Sequence, residues 1–371
     1  MNDVDELKKF VVVHARGQRI PRYRELLDRI THDGEGPGSW TGEWCSAAAA
    51  LERRGRHLDA CRHYAMARFP FADGPARQAA LAGGVAALDH WRFSAGMDIH
   101  RLDLPIGDGR VRCWASGLSA AEPRPLLLIM GGIVTVKEQW APLLAQIGRL
   151  GMAGIVTEMP GVGENTLRYE AGSWRMISEL LDAVADVADV SQTYAMNLSF
   201  SGHMALRCAL RDERIRGVIT TGAPISEFFT DLDWHARLPR VTTDTLAHLT
   251  WTDPADLAES MRDWALTADQ LASLDIPVCY VASSQDEIIP AGDPALLARH
   301  VRDLHLIEHD DVHGSPGHVI ETRLWSVLSL FRIRGISNVQ SAAFGLLWRA
   351  ARRGAPCRAP EPEPAPSGSR A

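Results

Sequence analysis

Residues 192–210 read QTYAMNLSFSGHMALRCAL. The stretch begins with a short apolar run, Gln192 to Met196, and ends with a helical pattern from Gly202 to Leu210, joined by a serine-rich turn. Similar apolar strand patterns lie before and after it in the chain, and segments with helical patterns separate them. Because strands and helices alternate, the sequence predicts an α/β fold with a mostly parallel sheet flanked by helices.

Composition divides the chain into three parts. Residues 1–95 contain helix-compatible segments and no strand pattern, so they are predicted to form a helical N-terminal cap region. Residues 96–335 are the predicted α/β core, which starts with a β-hairpin and holds a Trp- and Asp-rich cap insertion at about 223–275. Residues 336–371 are predicted to contain a C-terminal helix and, from about Arg352, a disordered tail rich in Pro, Arg, Ser and Glu.

The clearest helical segment of the N-terminal region is Ala-rich and runs from Trp44 to Phe69. Aromatic residues at helical spacing are usually buried, so the core of a helical bundle is the favoured interpretation of this region's aromatic side chains. The roof of a ligand pocket is the alternative. The residues concerned are Trp40, Trp44, Tyr64, Phe69 and Phe71.

Charge and cysteine content narrow the class of protein. The chain has 371 residues, 46% of them hydrophobic and 23% charged, which is typical of a globular protein. Its formal net charge of −7 disfavours nucleic acid as the main partner. The six cysteines are scattered, as in reduced proteins. The sequence shows no secretory signal and no apolar run of the ~18 residues that cross a bilayer. We therefore expect a cytoplasmic protein that binds neither nucleic acid nor membranes. The sequence is compatible with a homodimer.

The turn at Met196-Asn197-Leu198-Ser199-Phe200-Ser201-Gly202 resembles a nucleophile elbow. In the usual G-x-S-x-G form, small residues let the strand and the helix approach closely enough to hold the serine on a sharp turn. Asn197 and Ser201 replace the two glycines here, although Gly202 follows directly. A plain helix N-cap is the alternative for Ser199.

A second motif lies one strand earlier, at EMPGVGEN, residues 158–165. It resembles the D-x-P-G-x-G-x-S loop of many α/β-hydrolases, with Glu158 and Asn165 in place of Asp and Ser; an ordinary glycine turn is the alternative. Together with the elbow, the motif indicates a resemblance to the α/β-hydrolase superfamily. The resemblance implies the α/β-hydrolase fold and a triad in the chain order Ser, Asp or Glu, His.

Candidates for the other two triad members follow the later strands. Asp286 lies just beyond the strand PVCYVAS, and the Asp-x-x-x-Pro spacing to Pro290 resembles the acid loop of the family, so Asp286 is preferred over Glu287. His313 lies in the glycine-rich loop after the last strand. His309 and His318 are the alternative candidates for the triad histidine.

The same fold implies an oxyanion hole built from two backbone amides. One would belong to Phe200, directly after the nucleophile. The other would come from the loop Gly131-Gly132-Ile133-Val134 and belong to Ile133, or to Gly132 if the turn is shifted.

The stretch GGIVTVKEQW, residues 131–140, resembles the group formed by 2,6-dihydroxypseudooxynicotine hydrolase and the fermentation-respiration switch (FrsA-like) proteins. In the nicotine-pathway enzymes of this group, a glutamate in the Lys-Glu loop assists cleavage of a carbon–carbon bond next to a ketone. That glutamate matches Glu138 of this chain. The alternative for Glu138 is a solvated residue in the first turn of a helix.

Taken together, the sequence predicts a serine hydrolase that acts on a small organic carbonyl compound through an acyl-enzyme, with Ser199, His313 and Asp286 as its triad. Both an ester and a carbon–carbon bond β to a ketone fit this chemistry. Acyl transfer or cyclisation with the same triad, and a non-catalytic binding protein, are the alternatives. No metal or cofactor motif is present, and the Trp- and Phe-rich cap indicates an aromatic or apolar substrate.

Overall fold

The computed structural model describes residues 2–354 of the chain. The predicted disordered tail therefore lies outside the described residues, except at its start, where the last helix ends at Gly354. Helices alone precede the first strand within the described part of the chain: α1 (Val4–Gly17), α2 (Tyr23–Arg29), α3 (Trp40–Glu52), α4 (His57–Ala67) and α5 (Pro75–Ser94).

The predicted helical segment from Trp44 to Phe69 is interrupted. Helix α3 ends at Glu52 and α4 begins at His57. Between them Gly55 has a φ angle of +70°, a left-handed conformation that ends helices and favours glycine. The two helices therefore pack against each other as a hairpin, and Trp44 is fully buried in the resulting core.

The sheet contains the strands β1 (His100–Ile106), β2 (Gly109–Ser116), β3 (Pro125–Met130), β4 (Ala153–Thr157), β5 (Asp189–Asn197), β6 (Ile215–Thr221), β7 (Val278–Ser283) and β8 (Leu304–His309). Their order is β1-β2-β4-β3-β5-β6-β7-β8. The hairpin β1–β2 is antiparallel and joins β4 antiparallel, whereas β3 to β8 are parallel to one another. The predicted mostly parallel sheet is confirmed.

The remaining helices flank and cover the sheet. They are α6 (Arg175–Ala183), α7 (Phe200–Ala209), α8 (Glu227–Thr230), α9 (Leu232–His235), α10 (Arg240–Thr250), α11 (Leu257–Met261), α12 (Ala268–Ala272), α13 (Gly292–His300), α14 (Val319–Ile333) and α15 (Val339–Gly354). Helices α8 to α12 lie in the stretch that was predicted to be a cap insertion. Every helix of the described part falls short of the length and apolarity that a bilayer crossing requires.

Two 3₁₀ helices, Lys137–Gln139 and Ala141–Leu150, connect β3 to β4. Pro142 has no backbone N–H, so the α-helical hydrogen bond to the carbonyl four residues earlier cannot form at that position. The longer 3₁₀ helix lies on the sheet face that carries Leu127 and Ile129. Helix α14 covers the same face, and these two helices frame the space described below.

Candidate active site

Ser199 stands between the end of β5 and the start of α7, in a strained backbone conformation. Its φ and ψ angles are 57° and −131°, a region that residues with a side chain rarely occupy. The turn is held from both sides, because Ser199 N–H donates to Thr221 O at 2.8 Å and Leu198 N–H donates to Met130 O at 2.9 Å. Ser199 makes no side-chain cap bond to α7, so the alternative of a plain N-cap is wrong.

Small residues explain how the irregular elbow motif still forms a tight turn. A Cβ on Gly202 would lie 2.9 Å from Cβ of Ala223, so only glycine fits between α7 and the loop after β6. The hydroxyl of Ser201 donates to Met130 O at 3.0 Å and thereby ties the first turn of α7 to β3. Ser201 and Gly202 thus allow a tight turn although Asn197 and Ser201 stand where the usual pattern has glycines.

A chain of hydrogen bonds links Ser199 to His313 and Asp286. Ser199 Oγ lies 3.2 Å from Nε2 of His313. The other ring nitrogen, Nδ1, lies 2.9 Å from Oδ2 and 3.0 Å from Oδ1 of Asp286. The amides of Ile288 and Ile289 donate to Oδ1 of Asp286 at 2.9 and 2.8 Å and fix the carboxylate. The structure therefore brings the three predicted residues together in bonding order.

The environment favours a positive charge on His313. Burial lowers the pKa of the imidazole, but the charge and hydrogen bond of Asp286, aided by the charge of Glu287, outweigh it and raise the pKa above the usual value of 6.5. The contact with Asp286 also presents Nε2 to Ser199 as the acceptor once Nδ1 carries the proton. His313 is thus placed to take a proton from Ser199.

The rivals of the predicted triad residues have other contacts. Glu287 accepts a hydrogen bond from the backbone N–H of His313 at 2.9 Å. His309 is the last residue of β8, and its Nε2 contacts Thr322 Oγ1 at 3.3 Å. His318 precedes α14 and pairs through Nδ1 with Asp311 at 3.1 Å. Asp286 and His313 are therefore the acid and histidine that the geometry connects to Ser199.

The two predicted oxyanion-hole amides are unoccupied within the part of the chain that the structure describes. Neither the N–H of Ile133 nor that of Phe200 donates to another residue between 2 and 354. Their loop approaches the serine closely, since a Cβ on Gly132 would lie 3.1 Å from Cβ of Ser199. Free amides beside a serine hydroxyl are suited to stabilising a negative oxygen.

Glu138, predicted as a fourth member of the site, lies elsewhere. It is 2% exposed, so the alternative of a solvated residue is wrong, and it does not line the space beside Ser199. Its Oε1 accepts from Trp114 Nε1 at 2.9 Å and pairs with Lys137 Nζ at 2.9 Å. Glu138 thus contacts Trp114 on β2 and compensates the charge of the buried ammonium of Lys137.

Lys137 is the centre of a buried ion cluster behind the oxyanion loop. Besides Glu138, its Nζ pairs with Glu164 at 2.8 Å and Glu158 at 3.3 Å. Glu158 also accepts from the amides of Lys137 and Glu164 at 3.1 and 3.0 Å, which explains the glycine-rich EMPGVGEN loop that wraps around it. Burial raises the pKa of Glu158 to about 7, although Lys137 opposes the rise. The cluster anchors the loop that carries Gly132 and Ile133.

An apolar cavity of about 360 Å³ opens beside Ser199. Helix α1 contributes Phe10, Val13 and His14 to its wall, and Phe69 follows from the end of α4. Among the aromatic residues of the N-terminal region, Phe69 therefore faces the pocket, whereas Trp40 and Trp44 are core residues. The N-terminal region thus helps to form the candidate active site.

His14 is a pocket residue that the sequence analysis missed. Burial, followed by the charges of Arg68 and His313, lowers its pKa to about 3, so the imidazole is neutral near pH 7. Its ring makes no hydrogen bond to another residue of the described part, which leaves both nitrogens available to a ligand. The signal in the sequence was a histidine on the apolar face of α1, three and four residues after Val11 and Phe10.

One group of side chains within the described residues has the composition of a metal site. Nitrogen and oxygen atoms of His309, His318 and Glu321 lie within 4.8 Å of one another. The two rings are stacked with an interplanar angle of 9°, so their lone pairs lie in nearly parallel planes and do not point at one common ion. Glu321 already pairs with Arg352 at 3.3 Å. Stacking and pairing account for these side chains without a metal.

Comparison with known proteins identifies the family. A family model described as esterase FrsA-like matches residues 17–310. The chain belongs to the FrsA-like esterase family. Esterase FrsA from Vibrio cholerae is 22% identical to this FrsA-like chain over 319 residues, which cover 80% of this chain and 76% of that protein.

Solved structures agree with this assignment. AbyA5 is 51% identical to this FrsA-like chain, with a TM-score of 0.91 and coverage of 94% of this chain and 99% of the other. A 2,6-dihydroxy-pseudo-oxynicotine hydrolase is 18% identical, with a TM-score of 0.71 and coverage of 88% and 97%, and shows the shared fold. The predicted α/β-hydrolase fold, the family resemblance and the hydrolase class are confirmed.

Proposed function

We propose that this hydrolase cleaves an ester of a small apolar molecule, with Ser199 as the nucleophile. The observation that carries the proposal is the hydrogen-bonded sequence Ser199–His313–Asp286 next to the free amides of Ile133 and Phe200. A nucleophile, a base, a group that orients the base and an oxyanion site are the four components that acyl transfer through a serine requires.

The reaction follows from these contacts. Nε2 of His313 takes the proton of Ser199 as Oγ attacks the ester carbonyl, and the amides of Ile133 and Phe200 bind the resulting oxyanion. His313 then gives the proton to the leaving alcohol, which leaves an acyl-enzyme on Ser199. A water molecule then loses a proton to His313 and attacks the acyl carbonyl. The bond to Ser199 Oγ breaks, the acid is released, and His313 returns the proton to Ser199.

The position of Glu138 favours an ester over a carbon–carbon bond. Cleavage next to a ketone needs a group that manages protons on the carbon skeleton, and Glu138 was the predicted candidate. Its Oε1 is instead paired with Lys137 and Trp114, and Glu138 is not part of the cavity lining. His14 also lies near His313. Its pKa of about 3 keeps the imidazole neutral at neutral pH, so it can form hydrogen bonds there but does not act as an acid.

Two substrates test the proposal directly. The purified chain is expected to release nitrophenolate from 4-nitrophenyl butyrate and to leave the diketone 1-phenyl-1,3-butanedione intact. Ser199→Ala should lower the rate with the ester at least 1000-fold, as for other triad serines. Cleavage of the diketone without ester hydrolysis, or an undiminished rate in Ser199→Ala, would overturn it.

A further inference from the structure

We propose that the cavity beside Ser199 is a channel for a long apolar chain of the substrate, running along the sheet between α14 and the 3₁₀ helix Ala141–Leu150. The inference rests on the proposed function, because it assumes that the reacting carbonyl lies at Ser199. It adds a substrate class, namely esters whose chain is at least as long as an octanoyl group.

The strand register gives the depth of the channel. Leu127 lines the cavity and is paired with Tyr194, five residues before Ser199 along β5. The three residues from Tyr194 to Asn197, the last residue of β5, span about 10 Å at about 3.3 Å per residue, so the lining reaches about 10 Å below the elbow. Ile129 and Met196 are paired with each other and line the cavity between Leu127 and Ser199.

The two helices that frame the channel give the length of its wall. Helix α14 lines it from Val319 to Leu330, which spans about 16 Å at 1.5 Å per residue. The 3₁₀ helix lines it down to Leu150. Arg334, just after α14, donates to Leu150 O at 2.6 Å and joins the two helices at the far end.

Apolar side chains line the deep part of the channel. Leu127, Ile147, Met196, Val327 and Leu330 line it. Of the polar lining residues nearby, Gln146 is exposed to solvent and the hydroxyl of Ser326 is satisfied by Thr322 O at 2.9 Å. Folded proteins rarely keep empty apolar spaces of this size, because such voids forfeit packing contacts. A chain of methylene groups would fill the space and needs no polar partner there.

The test compares esters of different chain length on the purified chain. The value of kcat/KM for 4-nitrophenyl octanoate should exceed that for 4-nitrophenyl acetate at least tenfold, because each buried methylene is worth roughly a fourfold gain. Val327→Phe, which narrows the channel, should remove most of this preference. Leu328→Phe is the matched control, since Leu328 lies outside the cavity lining and near Gly345 of α15.

A binding measurement separates this inference from the proposed function. Octan-1-ol is titrated calorimetrically into Ser199→Ala and into the same variant with Val327→Phe. Binding that the second substitution abolishes supports the channel even if no ester is hydrolysed, in which case only the proposed function fails. Equal kcat/KM values for acetate and octanoate, or no binding of octan-1-ol to Ser199→Ala, overturn the channel.

Discussion

Gly132 packs directly against Ser199: a Cβ on Gly132 would lie 3.1 Å from Cβ and 3.5 Å from Oγ of the serine. The oxyanion loop and the nucleophile thus occupy one tightly packed unit. In Gly132→Ala, the added methyl group must displace the loop or the serine. We expect kcat for 4-nitrophenyl butyrate to fall about 100- to 1000-fold, as when one oxyanion donor is lost.

The control for this substitution is Gly148→Ala, because a Cβ there meets no atom within 4 Å. Its kcat should equal that of the wild type. Circular dichroism should show that both variants are folded. A Gly132→Ala enzyme with unchanged kcat would show that the loop does not form part of the reacting site.

The pH dependence of kcat/KM depends on His313. The base must be neutral, and the charges of Asp286 and Glu287 raise its pKa above 6.5, so activity should fall as pH is lowered through that raised pKa. Removal of one negative charge lowers the pKa. Glu287→Gln, which retains an acceptor for the backbone N–H of His313, should therefore move the acid limb to lower pH. Glu308→Gln, an exposed position on β8, should leave the limb in place; an upward shift in Glu287→Gln would contradict the assignment.

The buried ion cluster should be important for stability. Lys137 is 1% exposed and faces three carboxylates, Glu138, Glu158 and Glu164. In Lys137→Met these charges lose their cation, so urea unfolding should show a free energy of unfolding lower by about 3–5 kcal/mol. Arg302→Met, which removes an exposed pair with Asp275, is the comparison and should leave this free energy unchanged. If both substitutions lowered the free energy of unfolding equally, the buried ion cluster would not have the proposed importance for stability.

Glu138 should matter for stability rather than for chemistry. Glu138→Gln keeps an acceptor for Trp114 Nε1 but loses the charge that pairs with Lys137. We expect a lower midpoint of urea unfolding and, under conditions where the variant is folded, a change in kcat/KM for 4-nitrophenyl butyrate of less than about threefold. If Glu138→Gln lost as much kcat as Ser199→Ala at unchanged stability, Glu138 would belong to the active site.

The residues that the sequence could predict are those at the ends of parallel strands. Ser199, Asp286 and His313 follow β5, β7 and β8, and the carboxyl ends of parallel strands meet at one edge of a sheet. Chain order and local motifs were therefore enough to choose them. The fold followed from the same alternation of strands and helices.

Side-chain direction and long-range contacts could not be predicted from the sequence. The direction of Glu138 depends on a 3₁₀ turn and on Trp114, which lies on another strand. His14 reaches the pocket from a helix that is far from Ser199 in the chain, and no local motif marks its role. The interruption at Gly55 has a local cause, since glycine favours the left-handed conformation found there, but the Ala-rich sequence around it favours one continuous helix.

The role of Ser199 as the nucleophile can be tested by labelling the full chain with a fluorophosphonate probe, followed by mass spectrometry of the peptides. We expect one adduct on the peptide that contains Ser199, no adduct in Ser199→Ala, and slower labelling in His313→Ala, where the base is absent. An adduct on another residue, or labelling that persists in Ser199→Ala, would contradict it.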